Sequence, residues 1–141
     1  MRILLDEDVP VQVLEILRRV LVGHQIDHVD TIKWKGKKDP VLIANAASRG
    51  YEVLVTNDLG QLNNPDECRA IRKARIHHVT FRIGDGLRGL ALAVAAIVAA
   101  MPRLVEDLAG SSGQRLGEIT SLRDQARHHL IDPRKNPPPY W

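Results

Sequence analysis

Four aspartates, Asp6, Asp8, Asp39 and Asp58, stand at places in this 141-residue chain where they can meet. Asp6 and Asp8, with Glu7 between them, follow directly on the apolar run Ile3-Leu4-Leu5. Asp58 follows Val53-Leu54-Val55 and the polar pair Thr56-Asn57. Asp39 precedes Pro40, a pairing that reads as a helix cap followed by proline at the first helical position. Each residue alone has an ordinary use, as a cap, a turn or a loop anchor. Brought to one end of a domain, they make a different object. Close carboxylates at a protein surface repel by on the order of several kcal/mol, and a divalent cation relieves that repulsion. Hard oxygen donors suit Mg²⁺ or Mn²⁺, which keep several waters and also grip phosphate oxygens. Such an ion can activate water and steady the leaving oxygen in phosphodiester hydrolysis.

The elements needed to gather these side chains are visible in the apolar pattern. Residues 2–5 suit a strand buried on both faces. Val13, Leu14, Leu17, Val20 and Leu21 follow Pro10 at helical spacing, and Gly23 ends the run. Residues 25–29 alternate as a second strand, and residues 31–38 form a polar, lysine-rich loop. Leu42, Ile43, Ala46 and Ala47 are the stripe of the helix opened by Asp39, with Gly50 as its stop. Val53-Leu54-Val55 is a third strand, Asn64-Pro65-Asp66 opens a helix running to Ala74, and residues 76–81 form a fourth strand. Residues 87–108 read as a long alanine-rich helix that Pro102 must kink or divide. This alternation predicts a three-layer α/β/α domain over residues 1–110, with a mostly parallel sheet and right-handed crossovers. Residues 111–141 are expected to be an extension. In it, 115–122 and 126–131 are short strands, or a helix covers 121–130, ahead of a proline-rich tail. Ligands of such sheets bind beyond the carboxyl ends of the strands, the edge to which Asp6, Asp39 and Asp58 converge.

Composition narrows the alternatives. With 44% apolar and 26% charged residues, the chain has the balance of a globular domain. A net charge of +3 permits nucleic-acid binding without requiring it. Cys68 is the only cysteine, which excludes an internal disulfide and a thiolate cluster. The six histidines do not form a zinc motif: His24 and His28 flank a strand, and His77-His78 and His128-His129 are adjacent pairs. The N-terminus reads as a strand and not as a signal peptide. The apolar stretch 90–101 is short of the roughly 20 residues needed to span a bilayer, so no membrane partner and a cytoplasmic location are expected. Lys33, Trp34, Lys35, Lys37 and Lys38 form a basic rim beside the acidic residues. Its lysines would neutralise phosphates and Trp34 would stack on an unpaired base, unless the indole packs back onto the domain.

Three short motifs carry a family resemblance. The opening Leu4-Leu5-Asp6-Glu7-Asp8-Val9-Pro10 resembles that of small PIN-like domains, a group that includes VapC45-like toxins and Mut7-C-related proteins. Val53-Leu54-Val55-Thr56-Asn57-Asp58 resembles their strand end, and Trp34-Lys35-Gly36-Lys37-Lys38-Asp39 resembles the segment between the two. The likeness runs over residues 1–108. It implies a Mg²⁺- or Mn²⁺-dependent endoribonuclease, with single-stranded RNA as substrate and an antitoxin protein as partner. Asp6, Asp39 and Asp58 fall on its acidic positions, with Asp8 as an additional metal ligand. A second copy of the chain is a further expected partner. Two departures stand out: Asp8 replaces an asparagine, and Gly60 stands where many relatives carry another acid, for which Asp66 is the nearby substitute. The missing acid at Gly60 favours the alternative of a catalytically silent PIN-like binding or regulatory module. A phosphotransfer domain is disfavoured, because Arg82 follows the fourth strand where a lysine would be needed.

Overall fold

A computed structural model of the chain describes residues 1–36 and 39–122. The order is β1 (Arg2–Leu5), α1 (Gln12–Val20), β2 (Gln25–His28), α2 (Asp39–Ser48), β3 (Val53–Thr56), α3 (Pro65–Ala74), β4 (His77–Thr80), α4 (Gly86–Ala109) and β5 (Leu116–Glu118). A single 3₁₀ turn, Gln61–Asn63, precedes α3. All five strands are parallel, in the order β2-β1-β3-β4-β5. The α/β class expected from the alternating pattern is the class observed.

Strand alternation sorts the core into two layers. Ile3, Leu5, Val53, Val55 and Val79 pack under α1 and α4 with Val13, Leu17, Ala96, Ile97 and Met101. Leu4 and Leu54 face the other way, against Leu42, Ile43 and Ala46 of α2 and Ile71 of α3. Because both faces are covered, β3 is buried at every residue, which is why it reads as an unbroken apolar run.

The helix α4 is continuous over 24 residues, with Pro102 inside it, so proline does not divide it. At about 1.5 Å per residue it is long and apolar enough by those measures to cross a membrane, longer than the 90–101 stretch suggests. Here one face, from Ala93 to Leu108, is spent on the sheet. Its first turn abuts the preceding loop so closely that a Cβ on Gly89 would lie 2.1 Å from the Gly84 carbonyl. Only glycine fits there.

One crossover lies outside the expected four-strand alternation and differs from the others. The units β1-α1-β2, β2-α2-β3 and β3-α3-β4 share one hand, since α1 lies on one face and α2 and α3 on the other while the strand order reverses. The unit β4-α4-β5 continues in the direction of β3 to β4, but α4 lies on the face of α1. Its crossover therefore has the opposite hand to the rest, against the strong general preference for one hand. Nine residues of α1 cannot cover that face alone, and the long apolar helix fills it.

The domain also runs past residue 110. β5 pairs with β4, and Ile119 is 2% exposed within the α1–α4 core. The alternatives placed on 126–131 and most of 121–130, the proline-rich tail, and Lys37 and Lys38 lie outside the described residues.

Candidate metal centre

In a parallel sheet of this order the chain departs from β1 to one side and later from β3 to the other. The crevice between the carboxyl ends of those two strands is where such sheets bind ligands. Asp6 follows β1, Asp58 follows β3 after Asn57, and α2 brings Asp39 to the same edge. A cavity of about 210 Å³ opens there, lined by Asp6, Glu7, Asp8, Asp39 and Asp58 together with Trp34 and Gln61.

The carboxylates in it have separate duties. Asp8 is a brace: its Oδ2 accepts the Thr56 hydroxyl at 3.0 Å and its Oδ1 accepts the Asn57 N–H at 2.9 Å. It thereby ties the loop after β1 to the end of β3, and burial raises its pKa. The Thr56 hydroxyl oxygen in turn accepts the Asp58 N–H at 3.0 Å, so one chain of bonds sets the backbone that carries Asp58. Asp6 is 6% exposed. Its Oδ1 accepts the Glu7 N–H at 2.8 Å, while its own N–H extends the sheet by bonding the Val55 carbonyl at 2.9 Å. Desolvation pushes its pKa up to about 6, with the charges of Asp8 and Asp39 acting in the same direction.

The tightest grouping is one that the sequence motifs do not contain. Asp39, Asp58 and Glu67 each offer a carboxylate oxygen, and the three oxygens all lie within 4.8 Å of one another. Neighbouring oxygens in an octahedral Mg²⁺ shell are about 3 Å apart and opposite ones about 4 Å, given bonds of roughly 2.1 Å. The set is therefore spaced for one hard cation after slight tightening. Burial, and then the charges of Asp39, Asp58 and Asp66, raise the Glu67 pKa.

Glu67 comes from α3. Asn64 caps that helix, its Oδ1 accepting the N–H groups of Asp66 at 3.0 Å and Glu67 at 3.3 Å, with Pro65 in the first turn. The cap sets where the first turn points. Asp66, the nearby substitute for the acid missing at Gly60, pairs with Arg69 instead. At Gly60, the N–H bonds Asp58 Oδ1 at 2.8 Å, and a Cβ there would approach that oxygen to 3.1 Å. In the sequence, Asn64-Pro65-Asp66-Glu67 has the spacing of a capping box, so Glu67 reads there as part of a helix cap and not as a metal ligand. The signal for it was an acid in the first turn of a helix that starts at the binding edge.

In the basic rim, Trp34 takes the second of its two expected places and packs back onto the domain. Trp34 is only 6% exposed. Its ring meets Tyr51 edge-on at 6.2 Å and carries the Arg49 guanidinium at 4.9 Å. It is a wall of the cavity and part of the core, so it is not a free platform for a base. Lys33 and Lys35 line the outside of the loop, Lys35 lying 3.8 Å from Asp30. Glu7 Oε2 accepts the Gly36 N–H at 3.1 Å and holds this loop against the site. Among the described residues the histidines are used singly: His28 is buried with its Nε2 2.8 Å from the Val9 carbonyl, and His24 Nδ1 lies 2.9 Å from the N-terminal amine.

Comparison with known proteins adds one positive finding. A family model described as a PIN-like domain matches residues 1–82, the segment that holds every carboxylate named above. No curated protein and no solved structure matches the chain. With more than half of its length covered, and with a parallel α/β sheet that gathers carboxylates at its β1–β3 edge, the chain belongs to the PIN-like domain family.

Proposed function

We propose that the protein is a Mg²⁺- or Mn²⁺-dependent endoribonuclease acting on single-stranded RNA, and the toxin half of a toxin–antitoxin pair of the VapC45-like or Mut7-C-related kind. The observation that carries the reading is the carboxylate set of Asp39, Asp58 and Glu67, whose oxygens lie within 4.8 Å of one another. These three would hold the ion, with Asp6 lining the same cavity as Asp39 and Asp58. When bound, such an ion supplies a Lewis acid and an activated water for phosphodiester hydrolysis. The chain's own part is to fix the carboxylates. Asp8 and Thr56 hold the Asp58 segment, Asn64 holds the first turn of α3, and Glu7 holds the loop that bears Lys33 and Lys35. The lysines of that loop favour a polyanionic substrate.

The test is Mg²⁺-dependent cleavage of single-stranded RNA by the wild type and by Asp58→Asn. A drop in cleavage of at least a hundredfold in the variant is expected, and full retention refutes the assignment. A second reading is a PIN-like module that binds without cutting. The absence of an acid at Gly60 and the internal engagement of Asp8 favour it. It predicts that the wild type binds Mn²⁺ and RNA yet leaves the RNA intact.

A further inference from the structure

The acidic cavity contains one polar side chain that is neither acidic nor spent. Gln61, in the 3₁₀ turn before α3, lines the cavity beside Asp39 and Asp58. It is 1% exposed. Its Oε1 lies 2.9 Å from Nε2 of His78, a buried residue of β4. With that oxygen as acceptor, His78 carries its proton on Nε2. The other ring nitrogen, Nδ1, is then a buried lone pair without a partner. Turning the carboxamide over would leave a buried ring N–H unpaired instead and would cost a desolvated donor. Burial lowers the His78 pKa, which keeps the ring neutral and the single N–H in place.

This arrangement fixes which end of Gln61 meets the cavity. Its oxygen is held by His78, and its NH₂ group makes no hydrogen bond within the described residues. The carboxylates around it accept only. Trp34 is locked by Tyr51 and Arg49, and the Gly36 N–H is taken by Glu7. A phosphodiester entering such a cavity brings further acceptors, so an uncommitted, pre-oriented donor is what the site otherwise lacks.

We propose that Gln61 is a substrate-binding residue, its carboxamide N–H donating to a non-bridging oxygen of the phosphodiester, and that His78 is the residue that positions it. The proposal rests on the nuclease reading for the class of substrate, but it concerns a residue outside the carboxylate set.

The experiment compares wild type with Gln61→Met, which keeps the volume and removes the donor, and with Gln61→Glu, which keeps the shape and turns the donor into an acceptor. Thermal melting checks folding, and calorimetry with Mn²⁺ alone checks the metal site. Binding of a short fluorescent single-stranded RNA is then measured in Mn²⁺, using each diastereomer of a single phosphorothioate linkage. Wild type should bind one diastereomer more weakly than the other. Both variants should bind the unmodified RNA about tenfold or more weakly, as expected for removing a hydrogen bond to a charged acceptor. In Gln61→Met the difference between diastereomers should disappear while Mn²⁺ binding is kept. If Gln61→Met binds RNA as wild type does, or keeps the diastereomer preference, the proposal is overturned. If only one variant folds, that variant decides by the same criteria. A wild type that binds Mn²⁺ and cleaves RNA while Gln61 proves indifferent sinks this inference alone. A wild type that binds neither probe sinks it together with the nuclease reading.

Discussion

At the scale of residues, Asp6 carries a tension between stability and site. Its folded pKa of about 6 is raised above the ordinary carboxylate value of 3.8, chiefly by burial. Above pH 6 the carboxylate is ionised in both folded and unfolded chains, and the folded state bears the desolvation. As pH falls from 6 towards 4 the folded chain takes up a proton before the unfolded chain does, and the destabilisation is relieved. Asp6→Asn, which retains an oxygen for the Glu7 N–H, should therefore raise stability at pH 7 to 8 by on the order of 2 kcal/mol. The gap from wild type should close towards pH 4. Chemical denaturation across that range checks it, and a gap that widens as pH falls would contradict the assignment of burial as the cause. Asp8 should behave differently, because its two oxygens hold Thr56 and Asn57. Asp8→Ala leaves both donors without their acceptor and should lower stability by about 1 to 3 kcal/mol, loosening the segment that carries Asp58.

At the scale of elements, α3 is the part that completes the site. Asn64 satisfies two of its free N–H groups, and Glu67 is held in the same turn. Asn64→Ala should cost about 1 kcal/mol of stability. It should also weaken Mn²⁺ binding, although Asn64 is not one of the three clustered carboxylates. Calorimetry on the folded variant distinguishes the two effects. If affinity is unchanged while stability falls, the cap is not what positions Glu67. The beginning of this helix was legible in Asn64-Pro65-Asp66, because capping is a local matter of side-chain oxygen and proline φ. The role of Glu67 was not. It depends on how α3 is rotated against the sheet, and Ile71 with the partly buried Ala70 and Ala74 decides that by packing. The same holds for Trp34: its type and spacing suit base stacking, but the neighbours that bury it, Tyr51 and Arg49, come from the end of α2 and the loop beyond.

At the scale of the whole molecule, the parallel sheet and the edge that binds ligands could be read from the apolar runs of β1 and β3, central strands covered on both faces. The hand of the last crossover could not be read. It follows from the need of a whole face for cover, and a local pattern does not encode that. The net charge of +3 is likewise a property of the entire chain, and the proposed RNA contact would draw on it through Lys33, Lys35, Lys37 and Lys38. Changing Lys35, Lys37 and Lys38 to alanine should weaken RNA binding and flatten its dependence on salt. The logarithmic slope should fall by roughly 0.7 for each phosphate that is no longer neutralised. An unchanged slope would remove the loop from the interface.

Everything proposed for this edge of the sheet depends on Asp39, Asp58 and Glu67 closing around one divalent cation. Calorimetric titration with Mn²⁺ tests that most directly, on the wild type, on Asp58→Asn and on Glu67→Gln. One ion should bind per chain in the wild type, with affinity reduced by at least tenfold in each variant. The rise in thermal stability at a given Mn²⁺ concentration should be smaller in each variant than in the wild type. A wild type that binds no ion, or a Glu67→Gln chain that binds Mn²⁺ as tightly as the wild type, would refute the shared site.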